Sequence, residues 1–251
     1  MQVLGIDIGG SGIKGALVDE KTGKLRSERV RVMTPASFDI ARVTKKVSRL
    51  VARFDHPDAV GVGFPAAVAN GTVLTPPTAH EVTGWVGQSL DDVLTAATGR
   101  PVTVLNDADA AGLAEMRFGA GKGIKGVSIT VTLGTGVGAG LFLDGKLVPN
   151  LEVGKLYLAN HAEVVEQYMA SRIRSEHKLD WSEYGDRLAE FCLHVERVFS
   201  PQLIIIGGGV SRHHKKFLPS VKLRRTPVVP AQLRNQAGIV GAAVWAAEAG
   251  R

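Results

Sequence analysis

A single cysteine, Cys192, stands among the 251 residues of this chain, which excludes an intramolecular disulfide. Long apolar runs are missing too: none approaches the ~20 residues that a bilayer-spanning helix needs. The chain opens on a strand-like Met1-Gln-Val-Leu and not on a basic segment followed by a long apolar one. A soluble cytoplasmic protein with no membrane partner is expected. Aromatic residues amount to only 6%, and no helix-turn-helix, zinc or RNA-binding signature accompanies the basic residues, so nucleic acid is not expected as a partner. Two nucleotide fingerprints are absent as well. No Walker lysine precedes a serine or threonine after a glycine loop, and Gly134-Thr-Gly-Val-Gly138 lacks the third glycine at dinucleotide spacing.

What the chain does have is glycine, 30 residues of it, much of it at the ends of short apolar runs. Residues 3 to 8 and 13 to 19 read as strands joined by Gly9-Gly-Ser-Gly12, whose glycines permit positive φ and close backbone approach to a ligand. Residues 127 to 133 and 139 to 143 repeat that pattern around Gly134-Thr-Gly-Val-Gly138, displaced by 125 positions, which points to internal duplication. Leu203-Ile-Ile-Ile206 is a buried strand running into Gly207-Gly-Gly209. Helical spacing of apolar residues marks 39 to 54 and 182 to 198, the latter placing Cys192 on its apolar side, and Ala237 to Ala247 reads as a helix of small residues able to pack closely. Shorter helices are expected at 90 to 98 and 109 to 117, strands at 60 to 64 and 102 to 105, and an irregular loop at 65 to 84. With 45% apolar residues the chain can bury two modest cores, and two lobes are expected.

The chemistry concentrates at Asn106-Asp107, where an apolar run meets a helix start between the duplicated glycine turns. Phosphoryl transfer asks a protein for positioning and for stabilisation of phosphate oxygens. Backbone N–H groups at Gly9, Gly10, Gly134 and Gly136 form anion nests, with Ser11 and Thr135 as hydroxyl donors and Lys14 as a cation. A carboxylate at Asp107 is placed to take a proton from a substrate hydroxyl, while Asp7 can coordinate magnesium directly or through water. Asp109 reads as a helix cap. The net charge of +6 gathers late, at Arg212, Lys215, Lys216, Lys222, Arg224 and Arg225 with His213 and His214 among them. Taken singly these are a solvated face; together they suit a polyanion.

The arrangement resembles the ROK sugar kinases of the actin and hexokinase superfamily, and within them the polyphosphate-using glucokinases. Five motifs in order carry the resemblance: Asp7 to Lys14, Asn106 to Gly121, Leu133 to Gly138, Ile205 to Ser211 and Leu233 to Ala243. It implies an α/β, two-lobed actin/hexokinase-like fold, a duplicated ribonuclease H-like unit. Residues 1–105, completed by the helix 236–251, would form one lobe and residues 106–235 the other. It implies transfer of a phosphoryl group from polyphosphate or ATP to the 6-hydroxyl of glucose or a related hexose, with magnesium, in a homodimer.

By matching position, Asp107 is the base, while Asn106, Glu152 and Glu163 contact the sugar. Asp7, Gly9, Gly10, Ser11, Lys14, Gly134, Thr135, Gly136, Gly207, Gly208 and Gly209 serve the donor phosphates or nucleotide. Two positions depart from the family: Lys155 stands where Glu-x-Gly-His has its histidine, and His80 stands in place of an asparagine before Trp85. Lysine brings a point charge and donors only, where imidazole also accepts. These departures motivate a second reading, a kinase-fold sensor or scaffold that binds sugar, nucleotide or polyphosphate with little turnover.

Overall fold

Continuous apolar runs become the inner strands of two sheets in a computed structural model, which describes residues 1–77 and 84–250. The chain divides into two units, one of Met1–Ala114 with Gln236–Arg251 and one of Glu115–Asn235.

The first unit contains β1 (Val3–Gly9), β2 (Gly12–Val18), β3 (Val30–Val32), α1 (Ile40–Val51), β4 (Ala59–Phe64), a hairpin of β5 (Val68–Ala69) and β6 (Thr72–Val73), α2 (Leu90–Thr98) and β7 (Val102–Asn106). Helix α3 (Asp107–Phe118) starts here and ends in the second unit. The sheet runs β3-β2-β1-β4-β7, antiparallel through its first three strands and parallel from β1 to β7. Every residue of β4 is buried, as expected for a parallel strand covered on both faces. Helix α1 starts at Asp39, whose carboxylate accepts the N–H of Arg42, and it buries Val43, Val47, Leu50 and Val51. The stretch expected as one irregular loop holds the β5–β6 hairpin. Its continuation includes Trp85, which donates Nε1–H to the Phe38 carbonyl at 2.7 Å and packs on Phe38 and Phe64. Residues 78–83, and with them His80, lie outside the described residues.

The second unit contains β8 (Val127–Leu133), β9 (Val137–Leu143), β10 (Lys146–Val148), α4 (Val165–Met169), α5 (Ser171–Glu176), α6 (Trp181–Phe199), β11 (Leu203–Gly207), α7 (His214–Phe217) and β12 (Val228–Pro230). Its sheet order, β10-β9-β8-β11-β12, repeats the first unit's pattern of three antiparallel strands continued by two parallel ones. Strand β9 lies 125 positions after β2 at both ends, so the duplication seen in the sequence is a duplication of topology. Cys192 is fully buried in α6 beside Leu188, Phe191 and Val195, and burial pushes its thiol far above the usual range, where it is inert packing.

The last helix, α8 (Ala237–Ala249), belongs to the first unit and lies directly on β1 and β4. A Cβ at Gly5 would collide with the Ile239 carbonyl, one at Gly61 with the Ala242 carbonyl, and one at Gly241 with the Ala110 carbonyl in α3. Nothing larger than hydrogen fits at these three positions, which is why the helix carries glycine and mostly small residues on the side that meets β1, β4 and α3. Gly241→Ala should therefore cost about 3 kcal/mol or more by overpacking, despite the ~1 kcal/mol helix preference of alanine over glycine. Gly123→Ala, where φ is 81° but the space is open, should cost only ~1–2 kcal/mol. Urea unfolding of the two variants measures both, and near-equal losses would contradict this packing.

Candidate functional site

In the first unit the chemistry gathers at the carboxyl ends of β1 and β7. Asp7 and Lys14 are cross-strand partners on β1 and β2, and Lys14 Nζ donates to Asp7 Oδ2 at 3.1 Å, with about a quarter of each side chain exposed. Lys14 is thus bound to Asp7 and not merely solvated. Gly238 of α8 abuts the same carboxyl: a Cβ there would lie 3.0 Å from Asp7 Cγ. The turn Gly9–Gly12 closes the β1–β2 hairpin, with Thr34 Oγ1 donating to the Gly9 carbonyl at 2.6 Å. Gly9 and Gly12 avoid the left-handed region, so the positive φ expected from sequence is not used at these two positions; a Cβ at Gly12 would meet the Arg31 guanidinium, while one at Gly9 would make only ordinary contact. Arg31 Nη2 donates to the Ser11 carbonyl at 3.0 Å.

Asn106 ends β7 and is buried. Its Oδ1 accepts the N–H of Ala108 at 2.9 Å and of Asp109 at 3.1 Å, while its Nδ2 donates to the Ala66 carbonyl at 3.0 Å. Asn106 is therefore the cap of α3, the role expected of Asp109, which lies in the first turn of the helix and is itself buried. The cap consumes both acceptor sites and one amide hydrogen, leaving one N–H for a ligand. It also fixes the half-buried Asp107 as the first helical residue, on the backbone next to Gly63.

In the second unit two glycine turns share a platform. Leu133 pairs with Val137 across the turn Gly134–Gly136, and Gly207 at the end of β11 stands opposite Thr132. Gly208 takes φ 79° and lies so close to the Leu133 backbone that a Cβ would collide with it. Gly209 opens a short helical turn in which Ser211 Oγ donates to the Gly208 carbonyl at 2.8 Å.

The turn Val153–Lys155 packs on β9, because a Cβ at Gly154 would strike the Val137 carbonyl. Glu166 of α4 joins the pieces: its Oε2 accepts the N–H of Val137 at 3.1 Å and its Oε1 lies 3.5 Å from Lys155 Nζ. The ion pair of Lys155 is with Glu166. Glu152 exposes much of its residue surface, yet its carboxyl is desolvated enough for burial to raise its pKa; Lys155 opposes that rise and Glu166 adds to it. Glu152, Lys155 and Glu166 thus form one charged group. Glu163, expected as the further sugar contact, is exposed and outside it.

Glu166 was not singled out from sequence; it sits in a five-residue helix whose register no periodicity reveals. Glu115 is another carboxylate without a sequence signal. Buried at the far part of α3, it accepts the N–H of Ala120 at 3.0 Å and of Leu233 at 2.6 Å, fastening the loop leading to α8. Among the described residues no group of three or more His, Cys, Asp or Glu side chains is gathered to hold a metal alone. Likewise, among the described residues no helix is long and apolar enough to cross a membrane.

The ROK family model matches residues 3–156 and 155–249. The chain belongs to the ROK family. It is 40% identical to the polyphosphate glucokinase of Mycobacterium tuberculosis over 241 residues, covering 96% of this chain and 89% of that protein. It is also similar to the inorganic polyphosphate/ATP-glucomannokinase of Arthrobacter sp. strain KM, with a TM-score of 0.92, 45% identity and 99% of each chain covered. A ROK family glucokinase from Streptomyces griseus, solved with glucose and AMPPNP, gives a TM-score of 0.84 at 26% identity, covering 99% of this chain and 100% of that one. This ROK chain accordingly has the actin/hexokinase-like α/β fold of sugar kinases.

The charged group makes a signed prediction. The folded pKa of Glu152 lies above its unfolded value of 4.5, so the native state holds the extra proton, and stability from this group falls as pH rises through the interval just above 4.5. Lys155→Met should move the Glu152 pKa further up, and Glu166→Gln should move it down, both followed by carboxyl carbon NMR. Shifts of opposite sign, or none, would dissolve the group.

Proposed function

We propose that this ROK-family chain is a hexose kinase that transfers a phosphoryl group from inorganic polyphosphate or ATP to glucose, at its 6-hydroxyl. The observation that carries the reading is the Asn106-capped strand-to-helix junction bearing Asp107, in a chain 40% identical to a polyphosphate glucokinase over nearly its whole length. Asp107 takes the proton of the hydroxyl; the freed oxygen attacks the terminal phosphorus, and the bond from that phosphorus to the bridging oxygen breaks. The products are the sugar phosphate and a donor one phosphate shorter. Asn106 offers its remaining amide hydrogen to the sugar, and Glu152 orients the ring. Glu166, beside Lys155, supports the same role better than Glu163 does, because it shares its environment with Glu152.

The turns at Gly9–Gly12, Gly134–Gly136 and Gly207–Gly209 present backbone N–H groups to donor phosphates, except that of Gly134, which donates to the Gly136 carbonyl at 3.0 Å and so leaves the nest expected from sequence. Asp7 is a hard-oxygen ligand and already tolerates a cation at 3.1 Å, which fits a magnesium ion that takes one carboxylate and completes its shell with phosphate and water. Bound there, magnesium would neutralise donor oxygens. His80 is kept as a sugar-loop residue on the resemblance alone. A homodimer rests on the same footing, and a cytoplasmic location on the composition.

Lys155 alters the sugar side of the site. Imidazole at that position could accept a hydrogen bond from a hydroxyl; the ammonium group donates only, and its ion pair with Glu166 keeps its charge from standing alone beside a neutral ring.

Asp107→Asn tests the assignment of the base. It preserves shape and hydrogen bonding but cannot take a proton, so kcat should fall roughly 10²- to 10⁴-fold with glucose affinity changed little. Coupled assay of sugar phosphate and calorimetric titration with glucose measure the two quantities. Wild-type kcat in this variant would remove Asp107 from the role.

A further inference from the structure

Each of the three glycine-rich turns carries an arginine on one of its backbone carbonyls. In the first unit Arg31 holds Ser11, as described. In the second, Arg172 Nε donates to the Thr135 carbonyl at 3.1 Å and Arg212 Nε donates to the Gly209 carbonyl at 3.0 Å. The chemistry assigned to Asp107, Asn106, Glu152 and Asp7 requires none of these arginines. They sit, however, on the turns proposed above to hold donor phosphates.

The second unit decides what they can do, because its two turns touch. Arg172 and Arg212 therefore stand on one platform, fixed by the turns they clamp. A guanidinium has five N–H donors. Arg172 spends one on Thr135 and one on Glu176 Oε2 at 3.2 Å, and Arg212 spends one on Gly209, so most of their donors remain available. Both groups reach solvent; the Arg172 side chain is 39% exposed.

The rest of the late basic cluster to which Arg212 belongs supplies a contrast. Lys216 Nζ lies over the Trp181 ring, 5.7 Å from its centroid, and Arg225 Nη2 donates to the Glu196 carbonyl at 3.3 Å, so part of that cluster is bound into the fold away from the turns.

We infer that Arg172 and Arg212 bind phosphates of a polyphosphate donor beyond those held by the turns, and thereby set the preference for polyphosphate over ATP. This rests on the kinase reading above. The chemical reason is the difference between the two donors. A nucleotide ends its run of charge at a neutral nucleoside, whereas polyphosphate repeats an anionic unit past the turn, and planar guanidinium forks bind such oxygens in pairs. A neutral side chain could brace a carbonyl equally well. Arg172 already shares its charge with Glu176, whereas Arg212 makes no ion pair among the described residues, so a fixed charge at Arg212 gains most from an anionic ligand.

The experiment uses the whole chain with both arginines changed to Gln, and a second pair changed to Lys. Initial rates are taken with ATP and with polyphosphate of graded length, and equilibrium binding of an end-labelled long polyphosphate is measured by anisotropy at low and high salt. In the Gln pair the ratio of kcat/KM for long polyphosphate to that for ATP should fall about tenfold, with a smaller fall for short chains. Binding should weaken similarly and lose salt dependence, and the Lys pair should recover most of it. Equal losses with both donors, equal losses at all chain lengths, or unchanged polyphosphate binding would overturn the inference. A wild type that uses ATP but neither uses nor binds polyphosphate overturns it while leaving the kinase reading intact. A wild type that uses neither donor removes the kinase reading, and the binding measurement then decides the inference by itself.

Discussion

The backbone contact of α8 with β1, β4 and α3 is the constraint on which the first unit depends. A helix can lie against a sheet at that distance only where side chains vanish on both surfaces, and Gly5, Gly61 and Gly241 remove them at the points of collision. Small side chains bury little area each, so the gain comes from dense dispersion contact over the length of a helix with Ile239, Val240, Ala242 and Ala243 fully buried. The functional result is positional. Gly238 abuts the Asp7 carboxyl, and Gly241 seats α8 on the first turns of α3, the helix that begins at Asp107. A helix with no reacting group of its own thus sets the depth at which two of the assigned carboxylates sit.

The same economy governs the second unit. Its sheet repeats the first unit's order, and the ends of β8 and β11 bring Gly134–Gly136 and Gly207–Gly209 together because parallel neighbours end side by side. Glu166 then links the turn Gly134–Gly136 to the turn Val153–Lys155 through one carboxylate shared between Val137 and Lys155. Asn106 shows the corresponding thrift in the first unit, capping α3 and tying Ala66 while keeping one donor for a ligand.

Much of this was legible in the sequence. The strand-turn-strand pattern at Gly9 and its copy at Gly134 survive as matching hairpins because period and turn chemistry are local properties. Amphipathic spacing likewise found α1 and α6, and small-residue composition found α8. What failed was tertiary. Asp109 looked like a cap because Asx residues favour that place, but the strand end supplied Asn106 one turn earlier. Glu166 carries no mark as a letter; only the packing of α4 on β9 brings it to Val137 and Lys155. Arg31, Arg172 and Arg212 were invisible as turn residues because their partners are backbone carbonyls, distant in sequence for Arg31 and Arg172.

The central claim is that the chain moves phosphate onto a hexose. Phosphorus NMR of the purified wild type with glucose, magnesium and either long polyphosphate or ATP tests it most directly. The account predicts a new phosphomonoester resonance of glucose 6-phosphate growing as donor phosphate is consumed, with at least one of the two donors. Donor and glucose both left unchanged in each mixture, with the protein folded throughout, would contradict it.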